Sequence, residues 1–259
     1  MPAYLRKEVI GNATLYLGDA LTVMAGIEPL KAAALIGDPP YCSGGFSEAA
    51  KRQAKGQGLR SETLREIEWF GGDNMTTAGL QWLLRGVAVL FKQHADSQGA
   101  TVTLFCDWRM IAMLAPAIES AGLRWQAMPV WDKQALGLGT GFRAQHECML
   151  HFAIATPEYH SARFGNVIRS PRASATTREH PTEKPLQLMR SLVEVQTAPG
   201  ELILDPFMGG GSTGVAALDL DRRFVGIEHD PVHFETACRR IEEASRQSRL
   251  LLGEGAEAA

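Results

Sequence analysis

Two short segments bring together residue types that can do chemistry. In Asp38-Pro39-Pro40-Tyr41 the two prolines remove backbone N–H donors and stiffen the chain. What remains is an acceptor carboxylate at Asp38, an acceptor carbonyl at Pro39 and an aromatic face at Tyr41. That set suits a planar ring bearing an –NH2 group: two acceptors take the amine hydrogens while the ring stacks. The second segment is Asp205-Pro206-Phe207-Met208-Gly209-Gly210-Gly211-Ser212-Thr213-Gly214. Its glycines allow a tight turn and close approach of a ligand to the backbone, and a helix opening there offers free N–H groups. Gly209, Gly211 and Gly214 fit G-x-G-x-x-G, and Glu228 ends the next apolar run at the spacing of a ribose-hydroxyl acceptor, so a nicotinamide-dependent oxidoreductase is one reading. Two features oppose it. One strand follows the turn where a dinucleotide fold needs several, and Asp205 would repel a pyrophosphate but attract an ammonium group. The turn therefore favours a cofactor joining an adenosine to an amino acid, S-adenosylmethionine. Taken alone, D-P-P-Y also reads as a plain turn.

The elements around these segments explain how they could meet. The runs 14–19, 33–38, 101–107, 201–205 and 223–228 are apolar and each ends in Asp or Glu, as buried strands would. Residues 78–95, 108–121, 185–197, 212–221 and 231–247 have helical patterning. The alternation predicts an α/β fold: an open, mostly parallel, doubly wound sheet with helices on both faces. The runs 125–131 and 148–155 have no helix between them and predict an antiparallel hairpin at the sheet edge. Ligands of such sheets sit at the carboxyl ends of the strands. One carboxylate there reads equally as a helix cap. Five of them predict a crevice for cations, hydroxyls and amines. Segments 43–75 and 156–180 are polar and weakly patterned, and long loops of this kind are usually functional. The expected organisation is one catalytic domain over 1–252, two loops facing the substrate, and a frayed tail at 253–259.

Composition narrows the classes. The chain has 259 residues, 45% hydrophobic and 21% charged, within the globular range. Its four cysteines are far apart without a C-x-x-C pair, against a zinc ribbon or a disulfide scaffold, and no metal site is expected. No apolar run is long enough to span a membrane, and the first residues carry no secretory h-region, so a cytoplasmic protein is expected. The net charge of −3 makes any nucleic-acid surface local. Arg163, Arg169 and Arg172, in the 156–180 segment, are its candidates.

The motifs, in their order, resemble the amino-methyltransferases of DNA. Asp38-Pro39-Pro40-Tyr41 is similar to their catalytic motif, and Asp205 to Ser212 to their cofactor motif. The catalytic motif comes first, as in the circularly permuted beta class. His180-Pro181-Thr182-Glu183-Lys184-Pro185 resembles the segment before that class's cofactor strand. Trp131-Asp132-Lys133, followed by Gly137, Gly139, Phe142-Arg143 and His146-Glu147, resembles its hairpin region. The resemblance runs from about residue 14 to 240.

The resemblance implies a Rossmann-like, permuted methyltransferase fold that uses S-adenosylmethionine. Asp205, Phe207, Gly209, Gly211 and Ser212 would surround the methionine part of the cofactor, with Asp38 beside it. Glu228 would hold the ribose hydroxyls and Asp19 the adenine amino group. Thr182 and Lys184 would close over the amino-acid end. Asp38, Pro39, Pro40 and Tyr41 would hold the flipped base, and Arg143, Arg163, Arg169 and Arg172 would face double-stranded DNA. Within the family, Asp at the first catalytic position is typical of adenine enzymes. Adenine N6 is therefore the expected target, with cytosine N4 as the alternative. Related N-P-P-Y motifs act on RNA or protein glutamine, but Asp38 and the permuted order weigh against that reading. No Pro-Cys dipeptide supports ring-carbon chemistry. A homodimer is expected, because so small a chain has little surface for reading a site. The recognition sequence and any restriction partner stay open.

Overall fold

The computed structural model describes residues 2–40, 75–137, 140–171 and 184–251. Tyr41, Arg172, Thr182, nearly all of 43–75, the last part of 156–180 (from 172 on) and the 253–259 tail lie outside those residues.

A ten-stranded sheet forms the centre, in the order β1-β2-β10-β9-β3-β4-β7-β6-β8, with β5 pairing β7 off that path. The strands are β1 Arg6–Ile10, β2 Ala13–Leu17, β3 Ala34–Gly37, β4 Gly99–Cys106, β5 Arg124–Ala127, β6 Val130–Asp132, β7 His146–Ala155, β8 Val167–Arg169, β9 Leu202–Asp205 and β10 Arg223–Glu228. From β2 through β10, β9, β3 to β4 every pairing is parallel. The helices are α1 Ala20–Gly26, α2 Thr77–His94, α3 Ile111–Glu119, α4 Leu186–Gln196, α5 Ser212–Asp219 and α6 Pro231–Leu251.

Side-chain alternation along the strands divides the core in two. One face buries Leu35, Val102, Leu104, Leu204 and Val225 against α1, α2 and α3 through Val23, Leu84, Phe91 and Ile118. The other buries Ile36, Phe105, Ile203 and Phe224 against α4, α5 and α6 through Leu192, Ala216, Phe234 and Ile241. This is the doubly wound arrangement expected from the alternation of strands and helices.

Three differences from the expectation have physical causes. First, the antiparallel strand β7 is interior. It zips along the whole of β4, from Gly99↔Ala155 to Cys106↔Cys148, and carries β5 and β6 on its other side. Second, the opposite edge is a hairpin of its own. β1 turns into β2 through Gly11-Asn12, with Gly11 at φ +54°, the geometry a two-residue hairpin asks of its first position. Third, helix 108–121 opens as a 3-10 turn, Trp108–Met110, whose Arg109 amide is capped by the Asp107 carboxylate before α3 begins.

β3 leads through α2 to β4 on one side, while β9 leads through α5 to β10 on the other. The chain thus winds away from the β3/β9 boundary in both directions, and an open sheet leaves its ligand crevice at such a switch point. Asp38-Pro39-Pro40 follows β3 there and Pro206-Phe207 follows β9.

Candidate active site

The strand-end carboxylates separate into caps and crevice. Asp107 accepts from the Arg109 amide at 2.9 Å and pairs with the Arg109 guanidinium, so its role is local. Asp19 caps α1, accepting from the Thr22 amide at 2.9 Å and the Thr22 hydroxyl at 2.8 Å. It still stands at the crevice end of the sheet, because Gly18 donates its amide to the Glu228 carbonyl at 2.8 Å.

Asp38, Asp205 and Glu228 form the crevice itself. Asp205 is 2% exposed and accepts from the Thr213 hydroxyl at 2.6 Å and the Phe207 amide at 2.9 Å. Burial pushes its carboxyl up to about 7, helped by the negative charges of Asp38 and Glu228 and opposed by those two hydrogen bonds. Glu228 has the opposite outcome. Burial alone would raise its pKa, but His229 and the amides of Asp230 and Gly209 more than offset that and lower it. The site thus holds one carboxylate kept ionised and another poised to ionise.

The glycine turn is built for approach on one side and for packing on the other. Gly209, at φ +52°, has nothing nearer than 4.0 Å where a Cβ would stand, and its amide donates to Glu228 at 2.8 Å. Gly211, at φ +80°, is the N-cap of α5, and a Cβ there would lie 3.1 Å from Ala237 of α6. Gly214 would collide with Phe224 and Ile241. In the G-x-G-x-x-G match, then, the last glycine seats a helix and the first leaves room for a ligand. Arg240 of α6 donates to the Gly210 carbonyl at 2.6 Å and reaches the Ser212 hydroxyl at 3.4 Å, so Ser212 is tied to the helix behind the turn.

Lys184 changes the picture drawn from sequence. Its side chain is buried just before α4, with Nζ 2.5 Å from Asp38 Oδ2 and 3.4 Å from Glu147 Oε2. Burial alone would lower its pKa, but the charges of Asp38 and then Glu147 raise it. Its ammonium therefore belongs to the Asp38 side of the crevice. Glu147, the second residue of β7, is also paired with Lys133, which directly follows β6. Neither Glu147 nor Lys133 is given a role by the sequence. Their signal is their place in the segments that resemble the hairpin region, which assigns neither of them a task. Arg240 likewise carries no local signal.

The candidate DNA arginines divide. Arg169 of β8 lies 3.8 Å from Asp132. Arg143 donates to the Gly137 carbonyl at 2.7 Å in the β6–β7 loop. Asp132 pairs with His146 and Arg169, so both arginines stand at the carboxyl end of the sheet, beyond the Cys106↔Cys148 level. Arg163 instead pairs with Glu194 on the flank of α4. Among the described residues no group of His, Cys, Asp and Glu has the geometry of a metal site, and no helix is long and apolar enough to cross a membrane.

Comparison with known proteins agrees with this geometry. The profile of a DNA methylase family matches residues 154–239. YubD of Escherichia coli K12, named as a candidate methylase, is 27% identical over 229 residues, covering 88% of this chain and 90% of its own. YhdJ of Escherichia coli K12, a DNA adenine methyltransferase, is 36% identical over 95 residues, 36% of this chain and 32% of its own length. The fold is shared with the crystal structure of M1.HpyAVI in complex with SAM (TM-score 0.64, 22% identity, 88% of this chain and 98% of that one). It is shared also with the cytosine-N4-specific PvuII DNA methyltransferase (TM-score 0.67, 16% identity, 97% and 95%). The chain is therefore similar to the N6/N4 DNA methylases, through the family profile over residues 154–239 and through YubD over most of its length.

Proposed function

We propose that the protein transfers a methyl group from S-adenosylmethionine to the exocyclic N6 of an adenine flipped out of double-stranded DNA. The observation that carries this reading is the meeting of Asp38-Pro39-Pro40 with Asp205 and Glu228 at the β3/β9 switch point. The residues fit the cofactor. Buried carboxylates at Asp205 and Glu228 suit an ammonium and ribose hydroxyls and would repel a pyrophosphate, which also weighs against a dinucleotide. The open side of Gly209 leaves space beside them. When bound, the cofactor supplies a methyl already activated on a sulfonium. Asp205 and Phe207 would bind the methionine end, Glu228 the ribose, and the uncommitted side of Asp19 the adenine. Thr182 would close over the amino-acid end.

Asp38 and the Pro39 carbonyl would accept the two amine hydrogens and aim the nitrogen lone pair, while Tyr41 stacks on the base. Unpairing and unstacking the base costs a few kcal/mol. Asp38 stabilises the positive charge that grows on the nitrogen as it attacks. Orientation and this preformed charge account for the catalysis.

Adenine is favoured over cytosine because Asp38 is the stronger acceptor at the first motif position, a purine gains more from stacking, and the relative YhdJ is an adenine enzyme. Type II methyltransferases such as M2.DpnII of Streptococcus pneumoniae share a 64-residue stretch at 44% identity, which supports a place in restriction–modification. A homodimer, tested by sedimentation at micromolar concentration, would supply further surface for reading a site. The deciding experiment for the base is mass spectrometry of nucleosides from DNA methylated in vitro. 6-Methyladenine is expected. 4-Methylcytosine alone would move the assignment to cytosine, and no methylated nucleoside would overturn it.

A further inference from the structure

Four charges alternate across the back of the Asp38 side: Lys133, Glu147, Lys184 and Asp38. Each cation also rests on an aromatic ring. Lys184 Nζ lies 4.9 Å from the centroid of Phe105, and Lys133 Nζ lies 5.1 Å from that of Trp131. The register explains the convergence. Trp131 is opposite Glu147, one residue beyond the Cys148 that meets Cys106, so Glu147 projects past the end of β4 toward the crevice. The side chains of Lys133 and Lys184 are 12% and 10% exposed, so water screens these charges little. A surface ion-pair cluster would contribute almost nothing. This one is largely enclosed, balanced in charge, and ends on the residue that faces the base.

We propose that Glu147, itself held by Lys133, is a positioning residue for methyl transfer: it shares the Lys184 ammonium with Asp38, fixing the Asp38 carboxylate while limiting how much of its charge Lys184 claims. The inference rests on the amino-group reading above. An ammonium with two carboxylate partners leaves each with more acceptor strength than an ammonium leaning on one. Without Glu147, Lys184 draws wholly on Asp38, and the amine loses part of the charge that stabilises its attack. Burial opposes the charged form of Lys184, and two carboxylates outweigh it, so removing one moves Lys184 toward its neutral form.

The test uses the full-length protein and the variant Glu147→Gln. Single-turnover methyl transfer on a saturating duplex is expected to slow at least about 30-fold, while affinity for S-adenosylmethionine by calorimetry and for DNA by anisotropy stays within about threefold. Glu147→Asp, which keeps the charge, should recover most of the rate. Competitive acetylation of Lys184, read by mass spectrometry without turnover, should run several-fold faster in Glu147→Gln. If that variant melts well below the wild type, Lys133→Gln/Glu147→Gln removes the outer pair as a balanced unit and takes its place. A variant rate within twofold of wild type, equal losses for Gln and Asp, or unchanged Lys184 labelling overturns the inference alone. A wild type that methylates no DNA overturns it together with the function.

Discussion

Asp38 and Asp205 have the same side chain, and the proposed function gives them opposite tasks, each of which can be tested. Asp38→Ala should cut methyl transfer by about 10²–10³-fold, the usual cost of one preorganised charge-stabilising group. Cofactor affinity by equilibrium dialysis should stay within a few-fold, because Asp205 and Glu228 are intact; loss of cofactor binding would merge the two roles. Asp205 gives a pH signature. Its carboxyl, raised from 3.8 to about 7 by burial, binds more protons in the folded state than in the unfolded state between those values. Its contribution to stability is therefore complete below about pH 4 and is lost as pH rises through 7, by about 4 kcal/mol at 1.36 kcal/mol per unit. Melting of the cofactor-free protein between pH 5 and 8 should follow that loss, and Asp205→Asn should flatten it. A bound ammonium reverses the cost, so stabilisation by S-adenosylmethionine should grow across pH 7. The residue types of the crevice are legible in the sequence because they end apolar runs. Which of them are caps depends on the next three residues, as Asp19 with Thr22 shows. The partnership of Lys133, Glu147 and Lys184 with Asp38 is not legible there, because it joins segments far apart in the chain that only sheet register brings together.

The element that most constrains the site is the turn from β9 into α5. Gly211→Ala would force a left-handed φ on a Cβ residue and press it against Ala237, at a cost of about 1–3 kcal/mol. A lowered denaturant midpoint with an unchanged slope is the expected reading. Gly209→Ala meets strain but no neighbour, so its larger effect should fall on cofactor affinity. The five parallel strands and the helices around them are legible, because burial on both faces writes continuous apolar runs and amphipathic periods. α1 escapes a periodicity reading because seven residues carry too little period, although Asp19-x-x-Thr22 marks its start. β1 and β8 are short edge strands: β1 is mostly exposed and polar, and β8 has one buried residue in three. The interior place of β7 escapes it too, because a chain pattern fixes which segments are strands but not which of two neighbours a long strand will zip against.

At the scale of the whole molecule, the arginines of the carboxyl edge should carry the DNA backbone. Replacing Arg143 and Arg169 with Ala should flatten the salt dependence of DNA affinity by roughly one unit for each phosphate that is no longer neutralised. Arg163→Ala should leave the slope unchanged, because that side chain already faces Glu194; equal effects from both replacements would mean a diffuse surface without a binding edge. The pairing of β2 with β10, Phe224 beside Ala13, has a consequence for how the protein is made. β2 leaves the ribosome first among these strands and has no parallel partner until more than two hundred further residues have been added. Such a distant pairing is slow to close. Until then the hairpin Arg6–Leu17 can rest only on itself, and the wall that carries Asp19 cannot join the one that carries Glu228. Pulse-labelled hydrogen exchange during refolding should find the β3–β4–β7 amides protected first and the β2–β10 amides last. The ability to hold the cofactor would then be the last property a nascent chain acquires, and an unfinished chain could not take up the methyl donor.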